Sequence, residues 1–329
     1  MFEKNIDYLK AGCMLFIVAY VHLFNYTDAF PGHMTLLFEK LLSTVLGVFV
    51  LVSGYLSGLR YTRDGSPIIY YKKRLIRIYP LFVISMLLFC MIGMVTWSEC
   101  MQSLWLVTVI KGPLPYTLWF VIVLMIYTLT TPLLLSRDLG SFDFTLRSFL
   151  LFLFVLVLAT MLPTLDLRLL KYLPCFLCGL FVGSKKRSVL TGNQIVMLVR
   201  LYLISVILSL IDVENLIVDT VLQIPQLTFS ALVVFEVVRK CESLLPSLSV
   251  IRTLSYSSFC IYLCHRPVFH VGEVIYPSTT GITQILYLYL VMIPVIFCLS
   301  YAIQKLYDRS VSYFVSHANM LVYIEKNKI

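Results

Sequence analysis

The sequence predicts an all-α, polytopic membrane bundle of about ten transmembrane helices, and three observations carry that reading. Of the 329 residues 60% are hydrophobic and only 13% charged, with a mean hydropathy of +0.91, whereas a soluble domain is roughly half apolar and about a quarter charged. Apolar runs of about twenty residues recur, each long enough to cross a hydrocarbon core of roughly 30 Å. The basic residues gather in short stretches between those runs. The net charge of +9 is therefore read as positive-inside topology. A nucleic-acid partner would need a continuous basic face, which this pattern does not build.

Orientation follows from the stretch Gly47 to Pro80, where an apolar run breaks into a basic segment and becomes apolar again. Between Arg60 and Arg77 stand six Lys or Arg residues against one carboxylate, Asp64, and so biased a short loop belongs on the cytoplasmic face. The first span runs from about Tyr8 to Tyr26. It lacks a small-residue cleavage site and is expected to be retained. The second runs from about Leu36 to Leu59, where Ser53, Gly54, Tyr55 and Gly58 suit close helix packing, and the third from Ile78 to Thr96. Trp97, Trp105 and the loop through Pro113 and Pro115 fit an outer interfacial segment.

Span four, Tyr116 to Leu135, ends at Arg137, and span five is Phe144 to Leu162. The short sixth, Leu169 to Gly183, ends in the basic cluster Lys185, Lys186, Arg187. Spans seven (about Ile195 to Leu210) and eight (about Leu216 to Val238) flank an acidic turn with Asp212 and Glu214. Span nine runs from Leu254 to about Ile275 and span ten from Ile282 to about Leu306. With the N-terminus inside, only Lys40, Lys111, Arg168, Lys171 and Arg266 of the 26 Lys and Arg fall outside. An even number of spans places both termini in the cytoplasm. No repeat or soluble insertion divides the chain, so 1–329 is expected to be one bundle, with a mixed tail from Asp308 onward.

Ionisable groups inside such spans are functional candidates by default. His22 lies twelve residues beyond Lys10, about 18 Å of helical rise, which sets the imidazole past the bilayer midplane. Asp7 and Lys10 near the cytoplasmic end suit interfacial anchoring. Arg74 and Arg77 stand three apart on one helix side, and paired guanidinium forks suit a multiply charged anion; anchoring to anionic lipid is the plainer role. His265 and Tyr262 in YLCHRP are a second candidate group, with helix packing an equal reading. Trp119 suits stacking on a sugar ring or an interfacial belt, and His33 and His270 look peripheral. The nine cysteines mostly lie in or beside apolar runs and read as small hydrophobes. Cys175 and Cys178 have no second pair, so no metal site is expected.

The ordered motifs IDYLKA…VHLF, FVLVSGYLSG, KKRLIRIYP, LWFVIVLMIYTLTTPLL, LPCFLCGLFVG and LSYSSFCIYLCHRPVF make the chain resemble the membrane-bound acyltransferase-3 family over nearly its whole length. The resemblance implies transfer of an acyl group, most often acetyl, from cytoplasmic acyl-CoA to a hydroxyl of a surface glycan or its lipid-linked precursor at the cell membrane. No tightly bound cofactor is implied, and acetyl-CoA serves as co-substrate. By the same resemblance His22 matches the first-helix histidine, as general base or acyl carrier, and Arg74 with Arg77 matches the Arg pair that, with Lys73, would hold the CoA phosphates. The family's basic residue usually precedes the histidine by eleven positions. Ala11 stands there, and Lys10, one position earlier, is turned about 100° around an α-helix.

Two other classes compete. A glycan or lipid-linked-sugar exporter would also place His and Arg inside the membrane, but the paired broken helices of two related halves are not apparent. A catalytically silent relative acting as sensor or scaffold is the third.

Overall fold

The computed structural model describes residues 3–28, 35–112, 115–135, 140–185, 189–211, 213–277 and 281–326, and among these no strand occurs. His33, Pro113, Arg137, Lys186, Arg187 and Asp212 lie outside the described residues. Among the described residues six helical segments are long and apolar enough to cross a membrane: Lys4–Tyr26, Leu36–Thr62, Pro67–Met91, Ser141–Met161, Leu216–Lys240 and Ile282–Tyr313. Trp119–Leu134 and Gly192–Leu208 are apolar but shorter. The two remaining spans expected from sequence differ for separate reasons. Leu173–Lys185 has only 13 residues, about 20 Å of rise. Ser249–Ile275 has 27 residues but is polar, because Ser255, Ser257, Ser258 and His265 are buried inside the bundle.

Helix α1 (Lys4–Phe16) continues without a break into a π turn over Ile17–His22 and a 3-10 turn over Leu23–Tyr26. A π turn accommodates one extra residue within a helix. The turn lies between Lys10 and His22, twelve positions apart in the sequence. Both consequently address the same neighbour, Ser249–Ile275 (called α12 below), with which α1 packs.

Helix α2 (Leu36–Asp64) is capped by the Thr35 hydroxyl, which accepts from Phe38 N, and stops at Gly65 in the left-handed region, φ 64°. Its closest neighbour is α9 (Leu173–Lys185). The contact is made by two glycine pairs at four-residue spacing. A Cβ on Gly54 or Gly58 would strike the α9 backbone at Phe176 and Leu180, and one on Gly179 or Gly183 would strike the α2 backbone at Leu51 and Tyr55. Backbone therefore lies against backbone, as small-residue seams allow.

Helix α3 (Pro67–Met91) opens with Pro at its first position and carries Pro80 inside. Proline frees the carbonyl four residues earlier, and the Tyr307 hydroxyl donates to that of Ile76. Pro267 in α12 frees the Leu263 carbonyl in the same way, and the Ser85 hydroxyl of α3 donates to it at 3.0 Å. Both freed carbonyls are thus satisfied by hydroxyls from neighbouring helices, as a water-poor interior demands.

Helix α4 (Trp97–Leu104), started by a Thr96–Glu99 capping box, and the one-turn α5 (Thr108–Lys111) form a hairpin. Its tip reaches part-way down α3, where Tyr79 donates its hydroxyl to Leu104 O at 3.2 Å. Leu106 at the tip has φ 60°, a conformation costing an L-residue roughly 1–2 kcal/mol. The Trp105 expected at an outer interface sits instead near the middle of α3. The frame is completed by α6 (Trp119–Leu134), α7 (Ser141–Met161), the short α8 (Arg168–Lys171), α10 (Gly192–Leu208) and α11 (Leu216–Lys240). Past α12 follow α13 (Ile282–Tyr287), a second π turn over Leu288–Met292, and α14 (Ile293–Lys326), which continues the mixed tail as helix.

Candidate active site

Three side chains of α1 meet α12. Asp7 accepts from the Ser255 hydroxyl at 2.5 Å, Lys10 donates to Ser255 O at 2.6 Å, and His22 Nδ1 lies 2.7 Å from His265 Nε2. The imidazole planes are parallel within 6° with centroids 4.8 Å apart. The two nitrogens are so much closer than the two centroids that they must point at each other along a lateral offset, so the bond runs close to the ring planes, where nitrogen lone pairs point.

The proton positions follow from the partners. His265 Nδ1 lies 3.2 Å from Ile261 O, the carbonyl one turn earlier on its own helix, and a carbonyl only accepts. With both rings neutral, His265 therefore carries its proton on Nδ1 and offers a lone pair at Nε2. His22 must then donate from Nδ1, which leaves its Nε2 with a free lone pair. That nitrogen has no hydrogen-bond partner among the described residues, and His22 is only partly buried, whereas His265 is fully buried. The pair therefore presents one base, oriented from behind by a ring that touches no open space.

Tyr262 stands against His265 with centroids 5.6 Å apart, and its hydroxyl is spent on Thr117 O at 2.6 Å. Beyond it come Phe120 and Trp119, and Arg168 lies 4.2 Å over the Trp119 ring while pairing with Asp166. Trp119 thus stands at the edge of this wall with Arg168 on its face and Phe120 edge-on, joined to the histidines through Phe120 and Tyr262. Ser53 and Tyr55 are not brought to it. Ser53 donates to Phe49 O in its own helix, and Tyr55 donates to the Glu3 carboxylate.

The basic group forms at the opposite end. Arg74 donates from Nη2 to the Ser57 hydroxyl at 2.8 Å, with its guanidinium 5.5 Å from the Tyr70 ring centroid. Its Nε is buried without a partner. Arg77 is exposed and lies within electrostatic reach of Lys10, Arg74 and Asp308. Lys73 is exposed on the same helix. Of the sequence-derived candidates, Arg74 thus neighbours Arg77 and Arg77 neighbours Lys10, which stands on the same continuous helical segment as His22.

Two residues of this site were not singled out from sequence. Ser57, one turn past Ser53, is the hydroxyl that holds Arg74. Arg266, next to His265, has a buried Nε without a partner, one long 3.4 Å bond to the Tyr26 hydroxyl, and a position 5.5 Å from that ring's centroid. No carboxylate pairs with it among the described residues, and both imidazoles lie within reach of its charge. The juxtaposition HRP was its only sequence signal. No group of three or more His, Cys, Asp or Glu side chains suited to a metal ion occurs among the described residues.

A sequence profile of the family described as an acyltransferase domain matches residues 3–304. Comparison with curated proteins and with solved structures returned no match.

Proposed function

Because this chain belongs to that acyltransferase family over nearly its whole length, we propose that it moves an acyl group, acetyl by default, from cytoplasmic acyl-CoA to a hydroxyl of a surface glycan or its lipid-linked precursor. In this reading ten spans cross the cell membrane with both termini in the cytoplasm, the short span being α8 with α9 and the more polar one α12. Arg74 and Arg77, with Lys73 outside and Lys10 inside, face the CoA phosphates through charge-assisted hydrogen bonds. The pantetheine arm then runs along α1 toward His22.

The observation that carries the reading is the oriented lone pair at His22 Nε2. It takes the proton of the acceptor hydroxyl as the oxygen attacks the thioester carbonyl carbon. The carbonyl oxygen becomes an oxyanion, whose charge Arg266 offsets. As the intermediate collapses, the C–S bond breaks and the imidazolium returns its proton to the departing thiolate. The products are the acyl ester and free CoA, and the base is restored. Trp119 and Tyr262 line the acceptor side.

The test is purified full-length protein in vesicles with acetyl-CoA inside. Acceptor-dependent release of free thiol, and surface glycan O-acetylation that disappears when the chain is deleted, are the expected results. Movement of acceptor without thioester loss would assign the chain to the exporters instead.

A further inference from the structure

A recess of about 370 Å³ opens on the side of the bundle between α3, α6 and the tip of the α4–α5 hairpin. Leu75, Ile78 and Tyr79 form one wall, Met125 and Leu129 the other, and Leu104 with Trp105 closes the far end. The backbone groups nearby are occupied, since Tyr71 donates to Leu129 O at 2.8 Å and Tyr79 to Leu104 O. What remains is an apolar slot whose rim residues Leu75 and Trp105 are 61% and 78% exposed. At its other end stands Lys72, exposed and with no hydrogen bond or ion pair among the described residues, beside Arg74.

We infer that this recess binds one anionic phospholipid of the cytoplasmic leaflet, its phosphate at Lys72 and an acyl chain along the slot up to Trp105. Charge and position both favour that occupant. An unpaired ammonium at the basic-loop end of an apolar slot matches a headgroup phosphate lying at the leaflet surface. A long-chain acyl-CoA fits less well, because its chain is separated from its phosphates by the pantetheine arm, whereas here the slot begins next to the cation. The recess also faces outward between α3 and α6, while His22 faces α12. The re-entrant tip, with Leu106 held at positive φ, forms the roof. Backbone of that kind is tolerated at membrane depth only where it is covered by protein or lines a cavity.

Trp105 is a built-in reporter, because the chain has three tryptophans. In W97F/W119F protein reconstituted into phosphatidylcholine vesicles, quenching by chain-brominated phosphatidylglycerol should reach half its maximum at a mole fraction about five-fold lower than with brominated phosphatidylcholine, the factor one lysine contributes near an anionic surface. Lys72→Gln, at an exposed and unbonded position, should abolish that difference. Equal quenching by the two lipids, or a difference that survives Lys72→Gln, would overturn the inference. Relief of quenching by palmitoyl-CoA would overturn it as well, by assigning the slot to a donor chain.

Discussion

His22 and His265 share a 2.7 Å nitrogen contact in which only one of the two rings can donate, and the Ile261 carbonyl decides which. Because His265 is fully buried, its only outlet is through His22. The chemistry proposed for the site thus rests on a base with one free nitrogen. His22→Gln, which keeps a donor toward His265 but no basic lone pair, should lower acyl transfer by at least about a hundred-fold, measured as acetyl-CoA turnover in vesicles. Near-normal turnover would make His22 a packing residue.

His265 is a positioning residue, and its substitutions should separate by acceptor geometry and not by size. His265→Gln places an amide oxygen near the position of Nε2 and should retain turnover within about ten-fold. His265→Leu removes the acceptor, frees the His22 tautomer, and should cost about a hundred-fold or more. The KM for acyl-CoA should stay unchanged in both, with the loss in kcat. Equal losses in the two variants would point to a steric role.

Arg266 offers the test of charge stabilisation. Arg266→Gln should reduce kcat by about a hundred- to a thousand-fold, the range for losing one group that holds an oxyanion, and Arg266→Lys should recover part of it. Should the KM for the acceptor rise while kcat holds, Arg266 recognises an anionic acceptor and the oxyanion is held elsewhere.

At the basic end, replacing Arg74 and Arg77 together by Ala should raise the KM for acyl-CoA by ten-fold or more, since each charge-assisted contact is worth about 1.5–3 kcal/mol. Arg77 is exposed and Arg74 bonds one hydroxyl, so the melting temperature should change little. Unchanged acyl-CoA affinity would return the pair to a lipid-anchoring role.

The glycine seam predicts stability and not chemistry. Gly179→Ala drives a methyl group into the Leu51 carbonyl of α2, and backbone cannot turn aside as a flexible side chain can. A loss of about 1–3 kcal/mol is expected, visible as a lower melting temperature in detergent. Gly12→Ala, where a Cβ meets nothing within 4 Å, is the control and should melt no lower.

Much of this was legible in the sequence because the physics behind it is one-dimensional. Hydropathy finds helices that face lipid, charge bias finds loops, and three-residue spacing puts Arg74 and Arg77 on one side. Depth and rotation are not one-dimensional. Ser53 and Ser57 share a helix face, and only the packing of α2 on α3 assigns the Arg74 contact to the second. The hairpin tip reads as an interfacial tryptophan segment because its return along α3 is a matter of packing and has no composition of its own. Arg266 has little signal in the sequence, because what marks it is that no carboxylate pairs with it among the described residues, and that is a three-dimensional fact.

The π turn at Ile17–His22 bears on heredity as much as on chemistry. An inserted residue in a straight helix would swing everything after it by about 100°, which a site spread along α1 would not survive. Here the widened turn absorbs the insertion between Lys10 and His22, and both side chains still bond α12. A helix with such a turn holds one residue more between a basic side chain and a histidine than a straight helix does while keeping both on one side. Removing one residue from 17–21 should therefore produce a straight α1 that keeps the same two contacts.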